Sequence, residues 1–163
     1  MKITDALLGE HGVFYAQFQL MAKSIDGADL EVIKTLGAML ASALAPHAQI
    51  ENDILFPAIE QMMGEGGPTH VMRMEHELIE GKLKELEELK GAHEEIEGAL
   101  ARLPATSSAD EARRLVRDVI QAAREHFTKE EHILFPMAAQ MLDERTLTRL
   151  GDEWAERRSV VLG

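Results

Sequence analysis

Apolar residues recur at spacings of three and four along most of the chain, and each of four such stripes carries one histidine. These spacings place side chains on one face of an α-helix, whereas the alternation typical of a half-buried strand is never sustained. The sequence therefore predicts an all-α fold whose helices bury imidazole as well as apolar groups. The four stripe histidines are His11, His47, His76 and His126.

Turn and capping signals divide the chain into four long helices and a short fifth. Glycines over residues 64–67, followed by Pro68, form the strongest break. We expect one domain over residues 1–163, with a four-helix bundle at about 4–142 and a tail helix at about 143–158. The first helix is expected to be capped by Thr4 or Asp5, and the second to start at about residue 29. The third is expected to start at Pro68 or Thr69, the fourth at a capping box of Ser108 with Glu111, and the tail helix after Asp143.

Pro46 falls inside the predicted second helix. A proline in a helix interior costs about 3 kcal/mol or kinks the helix. We expect a kinked but continuous helix here. The alternative is a helix that restarts with Pro46 in its first turn.

One sequence pattern occurs twice. Residues 47–57 and 126–136 both read HxxxExxILFP, and each copy follows a helix with a histidine on its apolar stripe. The chain is thus predicted to contain two helical hairpins, each supplying one histidine from its first helix and a histidine with a glutamate from its second. The two glutamates are Glu51 and Glu130.

This arrangement of residues suits a metal site inside a bundle. Residues at i and i+4 share one helical face, so the histidine and glutamate of each copy can meet the same ions. Because the chain has no cysteine, the ligands would be imidazole and carboxylate, which suit iron, manganese or zinc. A single histidine on a stripe is more often a core residue. Burying four imidazoles and two carboxylates unpaired would cost several kcal/mol per charge, and a bound cation removes that cost.

The composition limits the other classes of function. The formal charge of −12 argues against binding nucleic acid or anionic membranes. The absence of cysteine excludes disulfides and iron–sulfur clusters. The start of the sequence is unlike a signal peptide, and no apolar run approaches the length of a membrane span. We expect a cytoplasmic protein.

The set His11, His47-x3-Glu51, His76 and His126-x3-Glu130, with the two LFP segments, resembles the hemerythrin-like (HHE cation-binding) domains. The resemblance covers about residues 4–142. It implies an up-down-up-down four-helix bundle around a non-haem di-iron centre with an oxo or hydroxo bridge. In it, Glu51 and Glu130 would bridge the two ions and the four histidines would be terminal ligands.

The sequence departs from the oxygen-carrying hemerythrins, which add a fifth histidine one turn from the third-helix ligand. The positions four residues from His76 are Met72 and Glu80. Two irons need about 12 ligand positions, of which about two stay open with the set above, or one if Glu80 binds. Open positions ease the access of water, peroxide or nitric oxide to the metals. Stable oxygen carriage is therefore less secure than in the proteins with five histidines.

The resemblance implies a protein that binds or senses dioxygen, peroxide or nitric oxide at two irons. An enzyme that disproportionates peroxide or oxidises ferrous iron is one alternative, and a metal-free interaction module is another. Tyr15, one turn after His11, either points toward the metals and donates to a bound oxygen species or is a core aromatic. His93 lies 17 residues after His76, about 25 Å along a helix, so we expect it to lie outside the site. We expect the same of His70 and His132.

Overall fold

A computed structural model describes residues 1–64 and 89–161, and over these residues the chain is all-α and free of strands. The expected all-α helical bundle is confirmed over these residues. Residues 89–102 are helical and form the described part of the third bundle helix, α4. The other α-helices are α1 (Ile3–Ser24), α2 (Leu30–Ile50), α3 (Phe56–Gly64), α5 (Ala109–Lys129), α6 (Phe135–Met141) and α7 (Glu144–Arg157).

The two copies of the repeat share one local deviation from α-helical geometry. Glu51–Leu55 and Glu130–Leu134 are π-helical turns that join α2 to α3 and α5 to α6. Each turn is followed, after one phenylalanine, by a proline, whose ring would clash with a carbonyl four residues earlier in a regular helix. The wider turn accommodates that proline, and such turns are frequent at functional sites. Both π-turns begin at the glutamate of the repeat.

Pro46 lies inside α2, which continues from Leu30 to Ile50 without a restart. The continuous helix is confirmed, and the alternative of a second helix starting at Pro46 is wrong.

The start of α1 differs from the prediction, whereas α2, α5 and α7 start where the sequence predicts. α1 begins at Ile3 with Lys2 at its N-cap, so Thr4 and Asp5 lie within the helix and neither caps it. Ser108 is the N-cap of α5, as predicted, but its side chain makes no capping hydrogen bond. Asp143 caps α7 by accepting from the backbone N–H of Thr146 at 2.7 Å, a contact worth about 1 kcal/mol.

The turn between α1 and α2 is held by α5. Gly27 has a φ of +79°, a conformation that glycine adopts without strain. Arg113 of α5 donates to the carbonyl oxygens of Ile25 and Ala28 at 2.9 and 3.0 Å. These contacts join the turn of the first hairpin, between α1 and α2, to α5 of the second hairpin.

The apolar core consists of two clusters. One gathers residues from α1, the π-turns, α3, α6 and α7, and it includes Leu7, Phe56 and Trp154. The other gathers residues from α1, α2, α4 and α5, and it includes Phe18 and Val116. Among the described helices, none is long and apolar enough to cross a membrane.

α7 packs against α1 so closely that Gly151 has no room for a side chain. A Cβ atom at this position would lie 2.0 Å from the carbonyl oxygen of Met1 and 3.1 Å from the backbone nitrogen of Ile3. The backbone of the N-terminus therefore rests directly on α7.

We predict that Gly151→Ala destabilises the protein by about 1–3 kcal/mol, because the backbone of residues 1–3 must move away from α7. The matched control is Gly98→Ala on α4, where a Cβ meets nothing within 4 Å. This control should stabilise the protein by about 0.5–1 kcal/mol. Urea unfolding of both variants measures the effect, and equal stability of the two would contradict the close packing.

Candidate metal centre

Six ionisable side chains form one buried layer across the bundle, between the two apolar clusters. α1, α2 and α5 supply one histidine each, α4 supplies another, and each π-turn supplies a glutamate from its first position. Their exposed fractions lie between 0 and 4%. The six residues are His11, His47, Glu51, His93, His126 and Glu130.

In all four histidines the Nε2 atom faces the carboxylates. His11 Nε2 lies 3.3 Å from Glu130 Oε2, and His126 Nε2 lies 3.0 Å from Glu130 Oε1. His47 Nε2 and His93 Nε2 lie 3.6 and 3.3 Å from Glu51 Oε2. Glu130 therefore presents one oxygen to each side of the layer.

The six residues form two overlapping groups of potential metal ligands. One group is His11 and His47 with both glutamates, and the other is His93 and His126 with the same two glutamates. Within each group the ligand atoms lie within 4.8 Å of one another. Two ions that share both carboxylates would fit this arrangement.

The hydrogen bonding of the layer supports a bound cation. Despite these short distances, neither the oxygens of Glu51 and Glu130 nor the ring nitrogens of His93 and His126 make a hydrogen bond of acceptable geometry within the described part of the chain, and all of these atoms are buried. Buried polar atoms are nearly always partnered, and leaving them unpaired is costly. These residues therefore fit a metal, which would satisfy the carboxylate oxygens and the Nε2 atoms together.

The electrostatics of the layer point the same way. Burial and the neighbouring Glu130 both raise the pKa of Glu51. Burial also raises the pKa of Glu130, but the imidazoles of His11, His126 and His93 lower it well below its usual range. Without a metal, the surrounding imidazoles favour the anionic form of Glu130, whereas Glu51 favours its protonated form. A pair of cations would stabilise both carboxylates as anions.

Two further carboxylates fix the imidazoles of one group. Glu10 Oε2 lies 2.6 Å from Nδ1 of His47, and Glu131 Oε1 lies 2.9 Å from Nδ1 of His11. A carboxylate on the far nitrogen of a ligating histidine fixes its tautomer and orientation. Neither carboxylate was predicted from the sequence, because each is one residue from a predicted ligand and lacks a spacing signal.

The sequence matches the family model described as Hemerythrin HHE cation binding domain, over residues 2–138 and again over 86–157. The chain belongs to the hemerythrin HHE family. Searches of curated proteins and of solved structures found no match.

The hemerythrin-like bundle surrounds the layer with aromatic rings. Phe127 stacks on His11 with ring centroids 4.0 Å apart, and Phe56 stacks on His93 at 6.0 Å. Phe14 lies edge-on to His47 at 5.3 Å. With Phe18 and Phe135, which are also buried, these rings form an apolar wall that limits the access of water.

His93 is the correction to the sequence analysis. It lies in the layer, 3.3 Å from Glu51 and 3.7 Å from Glu130, although we expected it to lie too far from His76 to share the site. The distance from His76 excludes His93 only if His76 is the third-helix ligand. His76, like His70 and Glu80, lies outside the described residues.

A spacing signal in the sequence could have identified His93. His11 and His47 are 36 residues apart, and His93 and His126 are 33 apart, whereas His76 and His126 are 50 apart. Two similar hairpins should have similar histidine spacings. The positions four residues from His93 are Leu89 and Glu97, so neither of them supplies a fifth histidine.

Tyr15 does not point at the layer. Its hydroxyl donates to Glu131 Oε1 at 3.0 Å, the same oxygen that contacts His11. The expectation that Tyr15 points toward the metals is therefore corrected, because its hydroxyl reaches the carboxylate behind His11. His132 is exposed, with Nδ1 2.8 Å from the carbonyl oxygen of Thr128, and lies outside the layer as expected.

A small cavity of about 20 Å³ adjoins the layer on the side of the second ligand group. His93, His126 and His47 line it, together with Leu44 and Glu97. This volume is about that of one water molecule. The cavity leaves room for a small molecule beside the candidate metal positions.

We predict an unusually high pKa for Tyr15. Burial and the hydrogen bond to Glu131 raise the pKa of Tyr15 to about 12. Because it is the only tyrosine, the phenolate absorbance of the folded protein reports this group alone. Glu131→Gln should move the titration toward the ordinary value of about 10. A midpoint near the ordinary value in the unmodified protein, with native circular dichroism, would contradict the contact.

Proposed function

We propose that this protein binds two iron ions in the His/Glu layer and uses them to bind or sense dioxygen, peroxide or nitric oxide. The observation that carries the proposal is the pair of four-residue ligand groups that share Glu51 and Glu130. Membership of a cation-binding family supports it independently. Iron is favoured over manganese or zinc by the family resemblance, whereas the ligand chemistry alone suits all three.

Each residue of the site has a role in this proposal. His11 and His47 would hold one ion, His93 and His126 the other, and the two glutamates would bridge them. A di-iron centre supplies reversible redox chemistry and open coordination positions for a small ligand. The chain itself orients the imidazoles through Glu10 and Glu131, excludes bulk water with its phenylalanines and leaves a cavity beside His93 and His126.

The alternative of a metal-free interaction module conflicts with the unpartnered atoms of the layer, because their burial would then be uncompensated. The enzyme alternative relied on open metal positions and on Tyr15. With the Tyr15 hydroxyl bound to Glu131, no contact among the described residues favours catalysis over binding. Steady-state assays with peroxide and ferrous iron test the enzyme directly, and turnover above that of free iron salts would favour it.

We predict that His93→Ala lowers the metal content of protein loaded anaerobically with ferrous iron from two ions per chain to about one, since one ligand group of four is broken. His132→Ala removes an exposed histidine and should retain both ions. His76→Ala should also retain both ions, because His93 supplies the third-helix ligand in this proposal. Metal analysis with an absorption spectrum before and after exposure to air gives the result.

The opposite pattern would overturn this assignment, with full metal content in His93→Ala and a loss in His76→Ala. As a check on the function itself, removal of metal by a chelator should lower the melting temperature, because a ligand that binds only the folded state stabilises it. An unchanged melting temperature would favour the metal-free module.

Metal binding should depend on pH, because the ligating imidazoles must be neutral. Burial by itself lowers the pKa of His93, but Glu130 and Glu51 raise it to about 9 in the metal-free protein. Below this pH the metal must displace a proton, so the apparent affinity should rise as the pH approaches about 9. It should fall steeply below the ordinary histidine value of about 6.5.

Calorimetry with zinc in two buffers of different ionisation enthalpy measures the released protons at mildly alkaline pH. Dialysis of loaded protein across a pH series measures metal retention. Binding without proton release, or full retention down to about pH 4, would contradict neutral imidazole ligands.

A further inference from the structure

The carboxylate behind His47 is held by the C-terminal helix. Trp154 Nε1 donates to Glu10 Oε1 at 2.8 Å. Arg158, at the C-cap of α7, donates to both oxygens of Glu10, at 2.7 Å from Nε and 2.8 Å from Nη2. Glu10 therefore receives donors from α7 on one side and contacts the Nδ1 atom of His47 on the other.

These contacts differ from ordinary surface ion pairs. The side chains of Glu10 and Arg158 are only 15 and 23% exposed, and Trp154 is buried. A bidentate arginine–carboxylate pair fixes the plane of the carboxylate as well as its position. The plane of Glu10 in turn sets the direction from which His47 Nδ1 is held.

We propose that Glu10 is a positioning residue through which the docking of α7 controls metal binding at the His11/His47 position. The proposal rests on the proposed metal site and adds a regulated element to it. With α7 docked, Glu10 holds His47 in the tautomer that leaves Nε2 free for a metal. When α7 leaves α1, Glu10 loses the three donors that Trp154 and Arg158 supply and keeps only its contact with His47. The position of Glu10, and with it that of His47, is then no longer fixed.

The effect should be confined to one of the two metal positions. Among the described residues, no carboxylate contacts Nδ1 of His93 or His126, and His11 is held by Glu131, which is itself held by Tyr15 of α1 rather than by α7. Among the described residues of the layer, His47 alone has a hydrogen-bond partner that the C-terminal helix holds. Arg157 of α7 also pairs with Asp53 in the π-turn of Glu51, so the prediction concerns the loss of the Glu10 contacts alone. That loss should weaken one binding step and leave the other.

The coupling must act in both directions. If docked α7 raises metal affinity, bound metal must stabilise docked α7 by the same factor. The metal state of the buried layer would then be expressed at the surface as the fraction of molecules with α7 docked. This gives the protein a means to signal metal occupancy through α7.

The test compares metal affinity in four proteins: the unmodified chain, Glu10→Gln, Arg158→Ala and Arg149→Ala. Arg149 is the matched control, because it is an arginine of α7 whose one ionic partner among the described residues is Glu153 of its own helix. Stepwise titration with zinc should show one step weakened by about 10-fold or more in Glu10→Gln and Arg158→Ala, as for other carboxylates behind metal-bound histidines. The second step, and both steps of Arg149→Ala, should match the unmodified chain.

Amide hydrogen exchange of α7 provides a readout that does not depend on affinity. Zinc should slow exchange in α7 of the unmodified chain and of Arg149→Ala, and this protection should be lost in Glu10→Gln. Arg158→Lys, which keeps the charge but loses the bidentate contact, should give intermediate values in both measurements. A purely structural role for Arg158 would weaken both binding steps equally.

The outcomes separate this inference from the metal site itself. If the unmodified chain binds two ions and the variants bind them with unchanged stepwise affinities and unchanged zinc protection of α7, the coupling is wrong and the metal site stands. If the unmodified chain binds no metal, both are wrong. Should Glu10→Gln fail to fold, Arg158→Ala carries the test, since its side chain lies at the end of the helix.

Discussion

The structure depends on burying two carboxylates and four imidazoles in one layer of an otherwise apolar bundle. The two glutamates repel each other, and among the described residues their oxygens make no hydrogen bond. Such a layer is unfavourable unless a cation fills it. The rest of the bundle can be understood as support for that layer, with an apolar cluster at each end and a π-turn placing each glutamate.

The helices and most of the layer are predictable from the sequence, because they depend on spacings of a few residues along the chain. The period of three and four predicts the helices, and the repeated HxxxExxILFP predicts that two equivalent turns bring equivalent residues to one level. His11, His47, Glu51, His126 and Glu130 meet there, as these spacings predict. That these residues bind metal remains a proposal.

The remainder depends on contacts between residues distant in sequence. The apolar stripe of the third helix favours His76 as a ligand, whereas equal histidine spacing in the two hairpins favours His93. Glu10 is positioned by Trp154 and Arg158, more than 140 residues away. A local pattern cannot predict such a contact, and the direction of the Tyr15 hydroxyl depends in the same way on Glu131.

The most direct test of the central claim is anomalous X-ray diffraction from crystals of the iron-loaded protein, recorded at the iron absorption edge. The account predicts two iron peaks inside the bundle, one beside His11 and His47 and one beside His93 and His126, with Glu51 and Glu130 between them. A single peak, peaks only at the protein surface, or a layer that stays empty in protein that retains iron would contradict it.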